Sequence, residues 1–340
     1  MIKWGIIGIG NIAEKFAEAI EEVDNSKLIA IGSSKKEKLT KFGDKHKIQN
    51  IYRFNSYQKL LECREIDAVY IATINTSHYS LIKKAIREKK NILCEKPATI
   101  NHKELEEIFD LLKNTKLFFA EAYPYRFHLQ TKILKDLIEK GEIGKPKTME
   151  IKFGFATSKL LQFFSPRNRL FDSLGGGAIL DTGCYCTSFA LFIAKLVDQN
   201  SDLSKYKLTN VLGTFNRRGV EDFASVKITF ENNFEANLET SFRKKMKNNI
   251  VINGDKGKII ISNPWFPEKK TFLEVYKESS DYSKEIISRY TSRANVIRES
   301  ANLIKKKLRE ENFPLMTWEE SINNMKIIDN WKEILKQKKN

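Results

Sequence analysis

The chain has 340 residues, 41% hydrophobic and 11% aromatic, enough material for two domains with sizeable cores. No apolar run approaches the roughly 18–20 residues of a membrane span, and a strand-like run from Lys3 to Gly8 starts at once, without a signal-peptide layout. The net charge of +16 raises the question of nucleic acid, but the lysines are interleaved with glutamates, as in Lys35-Lys36-Glu37-Lys38 and Ile138-Glu139-Lys140, and no DNA- or RNA-binding motif accompanies them. Solvated faces are expected instead, with neither nucleic acid nor membrane as partner. Four cysteines, Cys63, Cys94, Cys184 and Cys186, form no C-x-x-C pair and point to a reducing, cytoplasmic setting.

Residues Ile2 to Ile9 are nearly all apolar, the pattern of a central parallel strand. Gly8-Ile9-Gly10-Asn11-Ile12-Ala13 follows directly, with a helical pattern through Ile20. This is G-x-G-x-x-A, the dinucleotide fingerprint with Ala in its third position. Gly8 permits the tight turn, Gly10 lets the backbone approach a pyrophosphate, and Asn11 and Ile12 open the helix whose N-terminus attracts negative charge. A second strand, Leu28 to Gly32, ends about 20 residues further on, where an NAD site would carry a carboxylate for the ribose. Here stand Ser33, Ser34, Lys35 and Lys36, with Lys38 beyond. Hydroxyl and ammonium groups favour the 2′-phosphate of NADP over NAD. The plainer alternative is an exposed loop whose serines cap the next helix.

Helix (Lys36 to His46), strand (Ile51 to Phe54), helix (Ser56 to Cys63) and strand (Asp67 to Ala72) continue the alternation. A polar loop from Thr73 to His78 then sits at a strand's carboxyl end, which makes Thr73, Asn75 and His78 cofactor-lining positions. The imidazole is equally explained as a helix-start residue. After a helix from Tyr79 to Lys89, the apolar strand Ile92 to Cys94 runs into Glu95-Lys96-Pro97. A strand buried on both faces rarely ends in such charges unless they face a cleft or water. Ligands of parallel sheets gather at these carboxyl ends, so Lys96 is placed to reach one as a cationic donor.

Helix Lys103 to Lys113 and strand Leu117 to Ala120 lead to Tyr123, Tyr125 and Arg126, read either as a substrate-cleft lining or as aromatic packing at a domain junction. The first domain is taken as residues 1–122 and the second as 123–340. The second begins with helix Gln130 to Lys140 and strand Thr148 to Ala156. Further strands are expected at Lys207–Phe215, Phe223–Phe230, Glu235–Phe242, Asn249–Asn253, Lys258–Ser262 and Phe272–Tyr276. Gly254-Asp255-Lys256-Gly257 is a hairpin signal. Glu278 to Ser288 has no assignment, and Tyr290–Arg309 and Thr317–Lys336 read as closing helices. The fold class is α/β: a doubly wound parallel sheet followed by an α+β domain with a large open, mostly antiparallel sheet.

Between the first two strands of that second sheet, Gly175-Gly176-Gly177 opens an apolar helix that continues to Val197. Asp181 and Tyr185 are four residues apart and therefore share a helical face. An aspartate in an otherwise buried helix needs a partner or a cleft. Capping of the helix's own first amides is the plainer account of it.

With these residues in hand, the chain resembles the glucose–fructose oxidoreductase / inositol dehydrogenase / rhizopine-catabolism (Gfo/Idh/MocA) family over essentially its full length. The likeness rests on the fingerprint, Glu95-Lys96-Pro97, and the glycine triplet with Asp181 and the residue four beyond. Many members carry histidine at the position of Tyr185. Tyrosine there, with Gly-Cys-Tyr-Cys around it and Glu121-Ala122-x-x-x-Arg126-Phe127, looks more like the dihydrodiol and NADP-linked aldose dehydrogenase branch. The resemblance implies a Rossmann domain, homodimers or homotetramers built through the open sheet, and hydride transfer between the nicotinamide and a carbinol or carbonyl carbon of a sugar, sugar derivative or diol. It implies Tyr185 as general acid/base, Lys96 binding the reacting oxygen and tuning the phenol, and Asp181 orienting the substrate or the lysine. It also places Glu95 beside the nicotinamide ribose and Arg169 against the cofactor. A nucleotide-sensing regulator on the same scaffold, without turnover, is the alternative.

Overall fold

The computed structural model describes residues 1–157, 170, 172–277, 280–309 and 313–338. The chain divides into two units, Met1–Phe127 with Tyr290–Trp318, and His128–Arg289 with Glu319–Asn340. The boundary expected between 122 and 123 therefore falls later, and the helix expected around Tyr290–Arg309 returns to the first unit. Arg126 shows why. Its guanidinium donates from Nε to Pro314 O (3.0 Å) and from Nη2 to Leu315 O (3.0 Å), tying the end of the first sheet to the returning segment.

The first unit holds six parallel strands, β1 (Ile2–Ile7), β2 (Ser26–Gly32), β3 (Arg53–Phe54), β4 (Ala68–Ile71), β5 (Asn91–Glu95) and β6 (Phe119–Ala122), in the order 3-2-1-4-5-6. Helices α1 (Asn11–Ile20), α2 (Lys36–Lys45), α3 (Tyr57–Leu61), α4 (Asn75–Arg87) and α5 (His102–Lys113) are the crossovers. The sheet order reverses direction at β1 and β4, the switch point where open α/β sheets bind ligands. β4 and all but one residue of β1 are buried, as uninterrupted apolar runs in a doubly covered sheet must be. The strand expected at Ile51–Phe54 is mostly a 3-10 turn, Asn50–Tyr52, because an edge strand paired on one side over two residues has little to extend it. α8 (Ser292–Lys306) packs on α1 and on the 3-10 turn Pro124–Phe127, capped by Thr291, whose hydroxyl donates to Glu22 (2.8 Å).

The second unit holds β7 (Pro146–Gly154), β8 (Tyr206–Phe215), β9 (Glu221–Phe230), β10 (Glu235–Ser241), β11 (Ile250–Gly254), β12 (Gly257–Ile261), β13 (Lys270–Lys277) and β14 (Tyr282–Ile287), ordered 14-13-12-11-7-10-9-8. Every pairing is antiparallel except β7 with β10. β14 occupies the stretch left unassigned by sequence, an exposed edge whose alternation is too weak to read. Its helices are α6 (Leu129–Glu139), α7 (Cys184–Val197) and α9 (Trp318–Gln337). Register places Leu212, Ser225, Lys227, Asn237, Glu150, Val251, Ile260, Glu274 and Phe272 on one face. None of these nine is buried, and Leu212 is 63% exposed, so this face is open.

The helix expected to run from the glycine triplet is not α-helical at its start. A π-helical turn, Ile179–Gly183, precedes α7. Turn and helix together form 19 residues with mean hydropathy 1.3, long and apolar enough to cross a membrane and so longer than the sequence reading allowed. Since 83% of that stretch is buried within the protein, it is a core helix.

Candidate functional site

The fingerprint folds as its glycines require. Gly8 has φ of +92°, and a Cβ there would lie 2.6 Å from the Thr73 side chain, so only glycine lets the β1 and β4 loops approach. Nothing lies within 4 Å of a Cβ built on Gly10. This open space adjoins the N-terminus of α1, where no side chain caps the first amides. Asn11 is exposed and Ile12 half-buried beside it. Free amides, a positive helix end and room over Gly10 together fit a pyrophosphate.

At the end of β2, Ser34, Lys35 and Lys38 are exposed. Ser33 is buried and turned inward, its Oγ accepting from the Lys35 amide (3.2 Å). The carboxylate of this stretch, Glu37, is turned to Lys41 Nζ at 2.7 Å. A 2′-phosphate would thus meet a hydroxyl and two ammonium groups. Thr73 and Asn75 are half-buried at the end of β4, and Thr73 Oγ1 accepts from Ser77 Oγ (2.7 Å).

His78 lies inside α4, which starts at Asn75 rather than Tyr79. Its ring is fully buried between two backbone carbonyls, with Nδ1 at 2.9 Å from Pro97 O and Nε2 at 3.1 Å from Thr73 O. Burial pushes its pKa down, against the pull of those carbonyls. The imidazole therefore joins the β4 loop to the β5 loop from below.

That β5 loop is the most heavily anchored segment of the unit. Tyr70, on β4 and stacked on Phe16 at 4.0 Å, donates its hydroxyl to Glu95 Oε1. Burial and the Glu95 charge push the Tyr70 phenol well up, so it remains a donor. Glu121, on β6, accepts from the Ala98 amide (2.8 Å). His78 holds Pro97, and the Lys96–Pro97 bond is cis. Glu95, Pro97 and Ala98 are all buried, leaving half-buried Lys96 as the side chain this loop presents. Tyr70 and Glu121 anchor this loop, a placement that the sequence reading did not assign. The signals were a tyrosine in the apolar run Ala-Val-Tyr-Ile and a carboxylate in Phe-Ala-Glu-Ala, polar groups that a covered strand holds only when hydrogen-bonded.

Tyr123 and Tyr125 are fully buried, their rings edge to face at 6.2 Å, and Arg126 is engaged with Pro314 and Leu315. Within the first unit the two tyrosines pack on each other and Arg126 ties the segment to the returning chain. Arg169 lies outside the described residues.

The second unit carries the other cluster. Gly177 has φ of +100°, and the π turn begins two residues later. Thr182 and Thr240 both donate to Ala178 O, at 2.9 and 3.1 Å, and their hydroxyls contact one another. Asp181 is half-buried on this turn and Tyr185 follows in the first turn of α7. The Tyr185 ring is walled by Phe153 (5.4 Å), Trp265 (5.7 Å) and Phe266 (6.2 Å), with Phe153 stacked on Trp265 at 5.1 Å. Phe266 is 52% exposed, so this aromatic wall reaches the surface. Trp265 and Phe266 sit in the loop Asn263-Pro264-Trp265-Phe266-Pro267, which the strand assignment passed over. Among the described residues no group of three or more His, Cys, Asp or Glu could hold a metal.

A parallel 3-2-1-4-5-6 sheet with a glycine turn, an uncapped helix and open space at its switch point defines a dinucleotide-binding α/β unit. The chain belongs to the Gfo/Idh/MocA oxidoreductase family: the model for its NAD-binding Rossmann fold matches residues 2–123, and that for its C-terminal domain residues 131–260. Among curated relatives, the trans-1,2-dihydrobenzene-1,2-diol dehydrogenase of Xenopus tropicalis is 29% identical over 268 residues, 78% of this chain and 77% of that protein. Among solved structures, a 3-ketoreductase from Actinomadura kijaniata in complex with NADP and TDP-benzene is 20% identical with a TM-score of 0.84, over 96% of both chains. An aldose-aldose oxidoreductase from Caulobacter crescentus complexed with glycerol is 19% identical with a TM-score of 0.85, over 99% of this chain and 98% of that one.

Proposed function

We propose that this oxidoreductase uses NADP and moves a hydride between the nicotinamide and a carbinol or carbonyl carbon of a sugar, sugar derivative or diol. The cofactor choice is carried by the end of β2, where Ser34, Lys35 and Lys38 are exposed and Glu37 is engaged by Lys41. NADP bound by the relative from Actinomadura kijaniata supports the same choice. The substrate class follows the diol named for the Xenopus relative, the ketoreductase name of the Actinomadura structure and the aldose named for the Caulobacter one.

The nicotinamide, when bound, supplies or accepts the hydride. The chain's own residues manage the oxygen. Lys96, held on the anchored β5 loop, donates to the reacting oxygen. The Tyr185 phenol exchanges the proton that must join or leave that oxygen. A phenol with a pKa near 10 is a poor base at neutral pH, and an ammonium acting at the same oxygen favours the phenolate. Asp181 orients the substrate through its hydroxyls. Phe153, Trp265 and Phe266 exclude water from the phenol and offer apolar faces to a ring. Glu95 serves the nicotinamide ribose. Four free cysteines, three of them buried, suit work in a reducing cytoplasm. Self-association is assigned to the open face of the second unit's sheet.

Three measurements test this reading. With NADP and a panel of aldoses and the trans-dihydrodiol, Lys96→Ala and Tyr185→Phe should each lower kcat by roughly 10²-fold or more, with NADPH affinity nearly intact. Wild-type turnover in either variant removes that residue from the mechanism, and absence of turnover in the wild-type chain with every substrate favours the sensor alternative. Ser34→Asp should weaken NADPH about tenfold more than NADH through repulsion of the 2′-phosphate; equal changes would contradict the cofactor choice. Sedimentation equilibrium should give a dimer or tetramer that Leu212→Lys weakens, whereas a monomeric wild-type chain contradicts the assigned face.

A further inference from the structure

The two ends of the second unit's sheet carry opposite charge. At the carboxyl ends of β7 and β10 lie the connections that follow β8, β10 and β12, together with the π turn. The first two, residues 216–220 and 242–249, contain Arg217, Arg218, Arg243, Lys244, Lys245 and Lys247, all exposed, and no aspartate or glutamate. The third carries Trp265 and Phe266 with Glu268 and Lys269. At the other end, the described residues of the connections after β9, β11 and β13 present the exposed carboxylates Glu231, Asp255 and Asp281 against one ammonium, Lys256. The interleaving of lysine with glutamate seen elsewhere in the chain therefore fails at the end that bears Asp181 and Tyr185.

Both basic loops are fixed at their roots, beside the residues that lead into the π turn. Ser241, fully buried, accepts at Oγ from the amides of Arg243 (2.9 Å) and Lys244 (3.1 Å). The Met246 amide donates to Gly154 O (3.3 Å), and Asn248 Oδ1 accepts from the Gly154 amide (2.8 Å). In the other loop, Asn216 Oδ1 accepts from the amides of Arg218 (2.8 Å) and Val220 (3.2 Å). Phe242 packs with Ala178, and the Glu221 carboxyl lies against Gly177. Glu221 and Asp222, the acids nearest the loops, are both buried, and Asp222 Oδ1 accepts from Thr214 Oγ1 (2.6 Å). Lys244 sets its ammonium over the Phe223 ring at 5.0 Å. Among the described residues, Arg243, Lys245 and Lys247 form no ion pair.

Cations held on fixed backbones with no carboxylate among them repel one another and attract a multiply charged anion. Guanidinium and ammonium groups together suit phosphoryl oxygens, the first by forked hydrogen bonds and the second as a point charge. A neutral sugar gains nothing from them. We infer that the substrate carries a phosphoryl group, as a sugar phosphate or a nucleotide-linked sugar, and that these two loops bind it while the reacting carbon lies toward Asp181 and Tyr185. This inference rests on the roles given to Asp181 and Tyr185.

The experiment compares the full-length wild type with the Arg243→Ala/Lys245→Ala/Lys247→Ala triple variant, using NADPH and the same sugars supplied free, as phosphate esters and as nucleoside-diphosphate conjugates. At low ionic strength the wild type should show kcat/KM for a phosphoryl-bearing form at least about tenfold above that for the free sugar, a gap that about 0.5 M salt narrows. The triple variant should raise KM for that form at least about fivefold more than for the free sugar. Whichever of the two forms is preferred identifies the source of the phosphoryl group. Equal use of free and phosphorylated sugars overturns the inference, as do equal losses on both in the triple variant. A KM for NADPH raised as much as that for the sugar phosphate overturns it too, as does a triple variant that loses only affinity for duplex DNA. If no sugar turns over, the catalytic reading falls by itself. Calorimetric titration of wild type and triple variant with glucose 6-phosphate and with glucose then decides whether the loops hold a phosphoryl group: tighter binding of the phosphate, lost in the variant, supports the inference, and equal binding overturns it.

Discussion

The constraint on which the first unit depends is the enclosure of two carboxylates at the ends of neighbouring strands. Glu95 and Glu121 are buried in a sheet covered on both faces, where an unpartnered carboxylate carries a penalty of several kcal/mol. Each is met by a donor, the Tyr70 hydroxyl for one and the Ala98 amide for the other. Those two hydrogen bonds, with His78 at Pro97 O, fix the backbone on both sides of Lys96. A long, flexible ammonium side chain is thereby launched from a rigid base, which would lower the entropy lost in the contact with the reacting oxygen proposed for it.

The second unit solves a different problem by different means. Its buried helix carries Tyr185 against three aromatic rings, which restrict the orientation of the phenol. The backbone just before it is held at Ala178 O, which accepts from Thr182 of the turn and from Thr240 of β10. Rigid aromatic walls and a backbone fixed from the sheet are the conditions under which a phenol can exchange a proton at a defined place.

Local pattern was sufficient for much of this. The apolar run of β1, the glycines at positions 8 and 10, the hydroxyl and ammonium groups after β2 and the charges after β5 all announce themselves within a few residues. Lengths of most elements follow from the same periodicities. What escaped depends on contacts distant in sequence. The helix around His78 begins at Asn75 because the loop before it is tied to β5, nineteen residues further on. The carbonyl partners of Arg126 lie nearly 190 residues away, and no local pattern announces them. The π turn cannot be read from an apolar helix pattern, since Thr240, which holds Ala178 O, lies on β10, some sixty residues away. β14 pairs along one edge only and shows little alternation, so its sequence resembles a loop.

The proposed mechanism requires that Lys96 and Tyr185 serve the same oxygen in one step. Its most direct test is the kcat/KM of the Lys96→Ala/Tyr185→Phe double variant beside the two single variants, with NADP and the best substrate of the panel. Groups that work as a unit are strongly non-additive, so the double variant should lie within about threefold of the slower single variant. Losses that multiply would show two independent contributions and contradict the account.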